Sequence, residues 1–168
     1  MSDERAAVRI RDAGPGDYPA IGALTVDVYV GEGYVMPESP YVAELADTVT
    51  RAEAAEILVA VQDETVIGSL TMARPGTLFA DIARPGELEF RMLATAKQAR
   101  GSGVGTALVR YVIEAARTEG YAAVVLTTMP DMVDARRMYE RLGFTPVPER
   151  GWKTMAGLPL TVMRLPLT

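Results

Sequence analysis

The sequence predicts an α/β fold built around a mixed sheet. Three observations carry that reading. Short runs rich in Ile, Leu and Val alternate with amphipathic runs at helical spacing along the chain. A glycine-rich stretch, Gln98-Ala99-Arg100-Gly101-Ser102-Gly103-Val104-Gly105-Thr106, stands between an apolar run (residues 88–94) and an amphipathic one, an order that reads strand, loop, helix. No linker, repeat or composition shift divides the 168 residues, so one domain spanning 1–168, with a full core, is expected.

Residues 7–11 alternate apolar and charged side chains, a short strand. Asp12-Ala13-Gly14-Pro15-Gly16-Asp17 breaks it, and Asp17 is placed to cap a helix with Ile21, Leu24, Val28 and Tyr29 on its buried face. Gly31-Glu32-Gly33 ends that helix, and a second is expected from Glu38-Ser39-Pro40 through Val42, Leu45 and Val49. Two β-rich runs, 56–62 and 66–73, flank Asp63-Glu64 as a hairpin. A loop bracketed by Arg74-Pro75-Gly76 and Arg84-Pro85-Gly86 leads to a strand over 86–95. Beyond the glycine stretch, Leu108, Val109, Val112, Ile113 and Ala116 share the inner face of a helix that Glu119-Gly120 ends. Residues 122–128 form a buried strand, and Pro130-Asp131 begins a helix through Leu142, stopped by Gly143. From Phe144 the chain reads as a strand interrupted by Pro146 and Pro148, an edge or a bulge. Ala156-Gly157 turns it into a last strand over 158–165. The order is β, α, α, β, β, β, α, β, α, β, β, with about seven strands and about four helices.

What is absent limits the chemistry. There is no cysteine and no histidine. Disulfides, a thiolate nucleophile, a Ser-His-Asp triad and the usual zinc ligand sets are therefore excluded, and no metal is expected. Acid–base work falls to Glu, Asp, Tyr, Lys or a terminus. The formal charge is −5 with no basic stripe, which argues against nucleic acid and suits a cationic partner. No apolar run has the length of a membrane span, and residues 1–11 are charged rather than signal-like, so no membrane partner and a cytoplasmic location are expected.

Three glycines in five residues, Gly101, Gly103 and Gly105, let a backbone approach a ligand closely. The helix start beyond them leaves N–H groups without partners and carries partial positive charge, a cradle for phosphate or pyrophosphate. A Walker A loop would need a lysine after Gly105, and a Rossmann fingerprint a third glycine where Thr106 stands. The bland alternative is a helix start that uses glycine only as a tight corner. What fits is Arg-x-x-Gly-x-Gly, Arg100 to Gly105, which resembles the acetyl-CoA loop of the GNAT superfamily of N-acetyltransferases. A second motif agrees: Ala135-Arg136-Arg137-Met138-Tyr139-Glu140-Arg141-Leu142-Gly143-Phe144 is similar to that family's Ala-x-x-x-Tyr-Glu-x-x-Gly-Phe signature.

The resemblance covers the chain essentially from end to end. It implies a twisted mixed sheet splayed between strands 4 and 5, here 86–95 and 122–128, with the pantetheine arm of CoA in the wedge. Acetyl-CoA would be the cosubstrate. Without a cysteine, the acetyl group would pass directly to an amine in a ternary complex. The resemblance sets the acetyl carbonyl near the strand-4 amides at Leu93, with Ala94 and Thr95 following; Thr95 stands where the family usually has valine. It sets the pyrophosphate on the amides of Arg100, Gly101, Ser102, Gly103, Val104, Gly105 and Thr106. Met132 occupies a position where the family often has a CoA-binding asparagine. Lys97, Arg100, Arg136 and Arg137 are candidates for the phosphates or are ordinary solvated charges.

By the same resemblance Tyr139 is the general acid for the leaving thiolate; its helix face, with Met132, Ala135, Met138 and Leu142, also suits a core residue. Glu89 matches the glutamate that activates the amine through water, or it is a structural partner of Arg91 or of a cross-strand base. Glu87, nearer the strand start, is a weaker candidate. Glu87, Glu89 and Arg91 alternate with Leu88, Phe90 and Met92 on opposite faces of the strand. The family binds its acceptor with the first two helices and the last hairpin, where Tyr29, Tyr34, Tyr41 and Trp152 lie; these form an aromatic cluster for an ammonium group or are isolated aromatics. A homodimer through the last hairpin and the 74–86 loop is expected. A non-catalytic acyl-CoA sensor and a scaffold that binds no CoA are the other function classes. The intact glycine loop speaks against the scaffold, and the pair Glu89 and Tyr139 speaks for the enzyme.

Overall fold

The structure, a computed structural model, describes residues 7–167. Most of the charged N-terminal stretch, residues 1–6, lies outside the described residues. Along the chain come β1 (Arg9–Asp12), α1 (Tyr18–Gly31), α2 (Tyr41–Ala46), α3 (Thr48–Ala54), β2 (Glu56–Gln62), β3 (Thr65–Ala73) and β4 (Glu87–Thr95). Then follow α4 (Val104–Thr118), β5 (Ala123–Thr128), α5 (Val133–Arg141), β6 (Thr145–Pro146), β7 (Trp152–Lys153) and β8 (Pro159–Pro166). Among the described residues the result is an eight-stranded mixed sheet in the order β1-β2-β3-β4-β5-β8-β6, with β7 paired to β8. Among the described residues no helix is long and apolar enough to cross a membrane.

The element order is the expected one, with two subdivisions. The expected second helix breaks at Asp47, whose backbone leaves the helical region (φ −87°, ψ 72°). The Asp47 carboxylate accepts the Thr50 N–H at 3.1 Å and the Thr50 hydroxyl at 2.6 Å, so it caps a new helix, α3, rather than continuing α2. Buried Arg51 reaches back from α3 to the carbonyls of Glu44 and Leu45, at 2.9 and 3.1 Å, and satisfies the end of α2. Val49, the last apolar residue of the expected helix, is then turned out to solvent at 56% exposure. The second subdivision lies after Phe144. Proline cannot donate to a ladder, and a 3-10 turn over Pro148–Arg150 separates β6 from β7.

Three local expectations need correction. Asp17 stands at the N-cap of α1, yet its carboxylate accepts the Gly14 N–H at 2.8 Å and pairs with Arg11 at 2.7 Å instead of capping the helix. Leu24 is half-buried, and Gly22 and Thr25 fill the inner face of α1 instead. Helix α5 starts at Val133, with Met132 as its N-cap, and not at Pro130.

The chain divides into two compact units, one of residues up to Thr71 with Met92–Tyr111, the other of Met72–Arg91 with Val112 onward. In the first unit β1 runs antiparallel to β2, Arg9 facing Val61 and Asp12 facing Leu58. Asp63 and Glu64 both take positive φ (50° and 63°), the turn that matches the twist of a two-residue hairpin. Ile21, Ile57, Val59 and Val61 form a core against which Tyr18, Ala52 and Val66 pack.

In the second unit β4 and β5 run parallel over Glu87–Glu89 and Ala123–Val125, and their ladder stops there. The short ladder accords with a sheet that splays at this place. β5 instead pairs antiparallel with β8 over its full length, from Ala123↔Pro166 to Thr128↔Thr161. The simple alternation expected along β4 fails at Met92, whose φ of 54° interrupts the pleat. Both faces of the first half of the strand are covered, so Glu87 and Glu89 are buried alongside Leu88 and Phe90.

Candidate active site

The glycine stretch begins where β4 ends. Ala94 is buried, and Leu93 and Thr95 are half-buried. The Ala96 N–H donates to the Ile67 carbonyl at 2.8 Å, and a 3-10 turn over Lys97–Ala99 follows. Gly101 and Gly103 then take φ of 77° and 86°, a region that strains any residue with a Cβ. A Cβ at either would meet nothing within 4 Å, so the loop presents bare backbone outward. The Ser102 hydroxyl is occupied, donating to the Ala99 carbonyl. The Gly103 carbonyl accepts the Ala107 N–H at 2.9 Å, which makes Gly103 the last residue before the helix. The N–H groups of Val104, Gly105 and Thr106 are then the first of α4, with no acceptor one turn earlier. This corner can take an anion.

Arg100 is half committed within the same unit: its guanidinium pairs with Glu32 at the end of α1. Glu32 escaped the sequence analysis because it reads as part of a helix-ending Gly-Glu-Gly. Tyr29 and Tyr34, expected near the acceptor, meet edge to face with ring centres 6.0 Å apart. The chain folds back at the end of α1 to bring them together, with the N–H groups of Tyr34 and Val35 both donating to the Tyr29 carbonyl. Tyr29 is mostly buried.

In the second unit Glu89 is 1% exposed. Its Oε1 accepts the N–H groups of Ile82 and Ala83 at 2.9 and 3.0 Å. Burial pushes its carboxyl above the usual range, and the amides of Ile82, Ala83 and Asp81 together with the Arg91 charge pull partly back. A carboxylate in this state holds a proton more readily than one in water, a property of a base. Arg91 donates to the Phe79 carbonyl at 3.0 Å and pairs with Asp81 at 3.2 Å, so Glu89 and Arg91 both grip the 74–86 loop.

Glu87 is the opposite case. Burial raises its pKa, but hydrogen bonds from Arg150, the Arg84 N–H and Arg164 outweigh that and hold it at about 2. It is the anion of a structural cluster and a poor base. Arg150 and Arg164 were not singled out in the sequence, where nothing local marks them.

Tyr139 is buried on α5, and its ring packs edge-on against Phe90 (5.8 Å) and Phe144 (6.0 Å). Phe90 and Phe144 also meet, at 6.3 Å, which closes an aromatic triangle. Arg136, on the same helix, is exposed enough to pair with Glu140 one turn on, at 3.4 Å. Trp152 is 39% exposed on β7, in the hairpin where Leu160 of β8 faces it.

Comparison with known proteins adds to this geometry. The model of the acetyltransferase (GNAT) family matches residues 24–144. N-acetyltransferase 8B of Homo sapiens is 36% identical over 88 residues, 51% of this chain and 37% of that protein. The chain thus spans well under half the length of that curated relative. Among solved structures, a GCN5-related N-acetyltransferase from Kribbella flavida is 31% identical, with a TM-score of 0.71 over 96% of this chain and 98% of that one. An acetyltransferase from Salmonella typhimurium, solved with its cofactor acetyl-CoA, shares the fold at 23% identity, with a TM-score of 0.70 over 96% of this chain and 95% of that one.

Proposed function

This chain belongs to the GNAT acetyltransferase family, and from that premise we propose that it transfers an acetyl group from acetyl-CoA directly to a primary amine of a small molecule or peptide. The observation that carries the reading is the bare, N–H-lined corner at Gly101, Gly103 and the start of α4. The pyrophosphate would lie against the amides from Arg100 to Thr106, with Arg100 and Arg136 as phosphate partners. Leu93, Ala94 and Thr95 would carry the backbone groups beside the acetyl carbonyl. Acetyl-CoA, when bound, supplies the activated thioester.

The residues then divide the proton work. Glu89 accepts the proton of the acceptor ammonium through water, a task its burial-raised pKa suits. The Tyr139 phenol donates a proton to the departing thiolate, and its aromatic triangle fixes the ring. Tyr29, Tyr34 and Trp152 are the acceptor contacts, with aromatic faces or edges suited to a cation or a flat ring. The chain passes between its two compact units inside β3, β4 and α4 rather than through linkers, which supports reading residues 1–168 as one such domain. The exposed Leu78, Trp152 and Met155 support a homodimer through the 74–86 loop and the last hairpin.

The test is turnover of acetyl-CoA across an amine panel, read as free thiol; the chain has no cysteine to interfere. Acetyl-CoA should also raise the melting temperature by mass action. Gly103→Val, which puts a branched side chain on a backbone at φ 86°, should abolish most of that rise. Equal shifts in both proteins would remove the cradle.

A further inference from the structure

Gly68 lies in the middle of β3, buried, with a φ outside the left-handed region. Backbone conformation therefore does not call for glycine there. Space does. A Cβ at Gly68 would sit 2.8 Å from Val104 Cγ1, 3.1 Å from Leu108 Cδ1 and 3.4 Å from the Ala94 carbonyl oxygen. Val104 is the first residue of α4, and Leu108 lies one turn later. Val104 is 3% exposed and Leu108 is fully buried, so neither side chain borders open solvent. Valine is also stiff at χ1, so rotation gives little relief.

The neighbouring residue of β3 holds the other end of the loop. The Ile67 carbonyl accepts the Ala96 N–H at 2.8 Å, just where β4 gives way to the glycine stretch. Two consecutive residues of β3 thus fix both the entry of the loop, at Ala96, and its exit, at Val104. We infer that Gly68 is a positioning residue for the pyrophosphate cradle: the missing Cβ seats the start of α4 against β3 and so sets where the amides of Gly103 to Thr106 stand. This rests on reading the loop as the cofactor cradle. An added methyl would push Val104 and its N–H group outward by a few tenths of an ångström, and anion sites built from fixed donors lose affinity at about that error.

The experiment compares CoA with pantetheine, which lacks the pyrophosphate and nucleotide, by calorimetric Kd. Wild type should bind CoA far more tightly than pantetheine. Gly68→Ala should weaken CoA about tenfold or more and leave pantetheine unchanged, since only the phosphate donors move. The double variant Gly68→Ala/Val104→Ala, which removes the tightest contact, at Val104 Cγ1, should recover most of the wild-type ratio. A general loss of structure would lower both affinities together and would overturn the inference. So would a folded Gly68→Ala with the wild-type ratio, while the cradle itself would stand. If Gly68→Ala does not fold, the double variant decides: a ratio near wild type supports the inference, and a lowered ratio overturns it. A wild-type ratio near one would instead remove the cradle, and with it the ground for this role of Gly68.

Discussion

Arg150 lays two guanidinium nitrogens on the two carboxylate oxygens of Glu87, each at 2.9 Å, and both side chains are 7% exposed. Arg164 adds a third charged hydrogen bond at 2.9 Å, and the Arg84 N–H a fourth donor at 3.0 Å. Arg150 also donates to the Ile82 carbonyl at 2.7 Å, so the pair ties the base of β4 to the 74–86 loop and to the turn before β7. A bidentate arginine–carboxylate contact of this kind is strong and directional.

The pair predicts acid sensitivity. Glu87 titrates at about 2 in the folded protein, against 4.5 for a free side chain. Folding therefore favours the ionised form. The stability is fully present above pH 4.5 and is lost as the pH falls toward 2. The gap corresponds to about 3 kcal/mol. Urea unfolding of wild type should show that loss between pH 5 and about pH 2. Glu87→Gln, which leaves Arg150 buried without its anion, should be less stable at pH 7 and nearly flat over the same interval. An equal acid slope in the two proteins would assign the loss elsewhere.

Glu89→Gln should separate anchoring from proton transfer. An amide oxygen still accepts the Ile82 and Ala83 N–H groups, so the loop stays in place. Burial raises the Glu89 pKa, so ionisation opposes folding above the ordinary carboxylate range; stability from this group is present at low pH and lost as the pH rises through its folded value. The variant should accordingly be as stable as wild type at neutral pH, or more so. Its kcat/KM should fall most at low pH, where little acceptor amine is neutral, and recover partly at high pH. A pH-independent ratio to wild type would leave Glu89 as a loop anchor alone.

Tyr139→Phe keeps the ring that meets Phe90 and Phe144 and removes one hydroxyl. Folding and CoA affinity should survive, while kcat falls about 10²–10⁴-fold, the usual size of a general acid's contribution. High pH should not rescue it, because the missing step is donation. Turnover near the wild-type rate would place Tyr139 in the core only.

Gly22→Ala tests the packing of α1 on α2. An added Cβ would sit 2.5 Å from the Ala46 carbonyl oxygen and 3.2 Å from Thr48 Oγ1. Backbone cannot swing aside as a side chain can, so a loss of about 1–3 kcal/mol is expected in urea unfolding. Alanine is otherwise the better helix former, and a stabilised variant would show that the two helices have room to part.

Self-association is checked by light scattering at micromolar concentration. A mass about twice 18.1 kDa is expected. Replacing exposed Leu78 and Trp152 by charged residues should return it to the single-chain value.

Much of this protein is written locally. The Asp63-Glu64 hairpin, the strand–glycine–helix order and the helix ending at Gly120 depend on residues within a few positions, and they are legible in the sequence for that reason. The break at Asp47 was equally local, but a continuing apolar pattern through Val49 hid it. The candidate site was legible only as residue types at motif positions. Which partners those residues hold was decided by the tertiary structure, since a buried charge is satisfied by whatever the fold brings to it. Glu87 and Glu89 look alike in the sequence, two residues apart on one strand. Arg150 and Arg164, 63 and 77 residues further along, make one a fixed anion, while burial, only partly offset by the amides of Ile82 and Ala83, leaves the other with a raised pKa. Gly68 carried a signal of its own, a lone glycine inside a strand, which marks a close approach of another backbone or side chain. Only the folded chain shows that what approaches it is the first turn of the helix after the glycine loop.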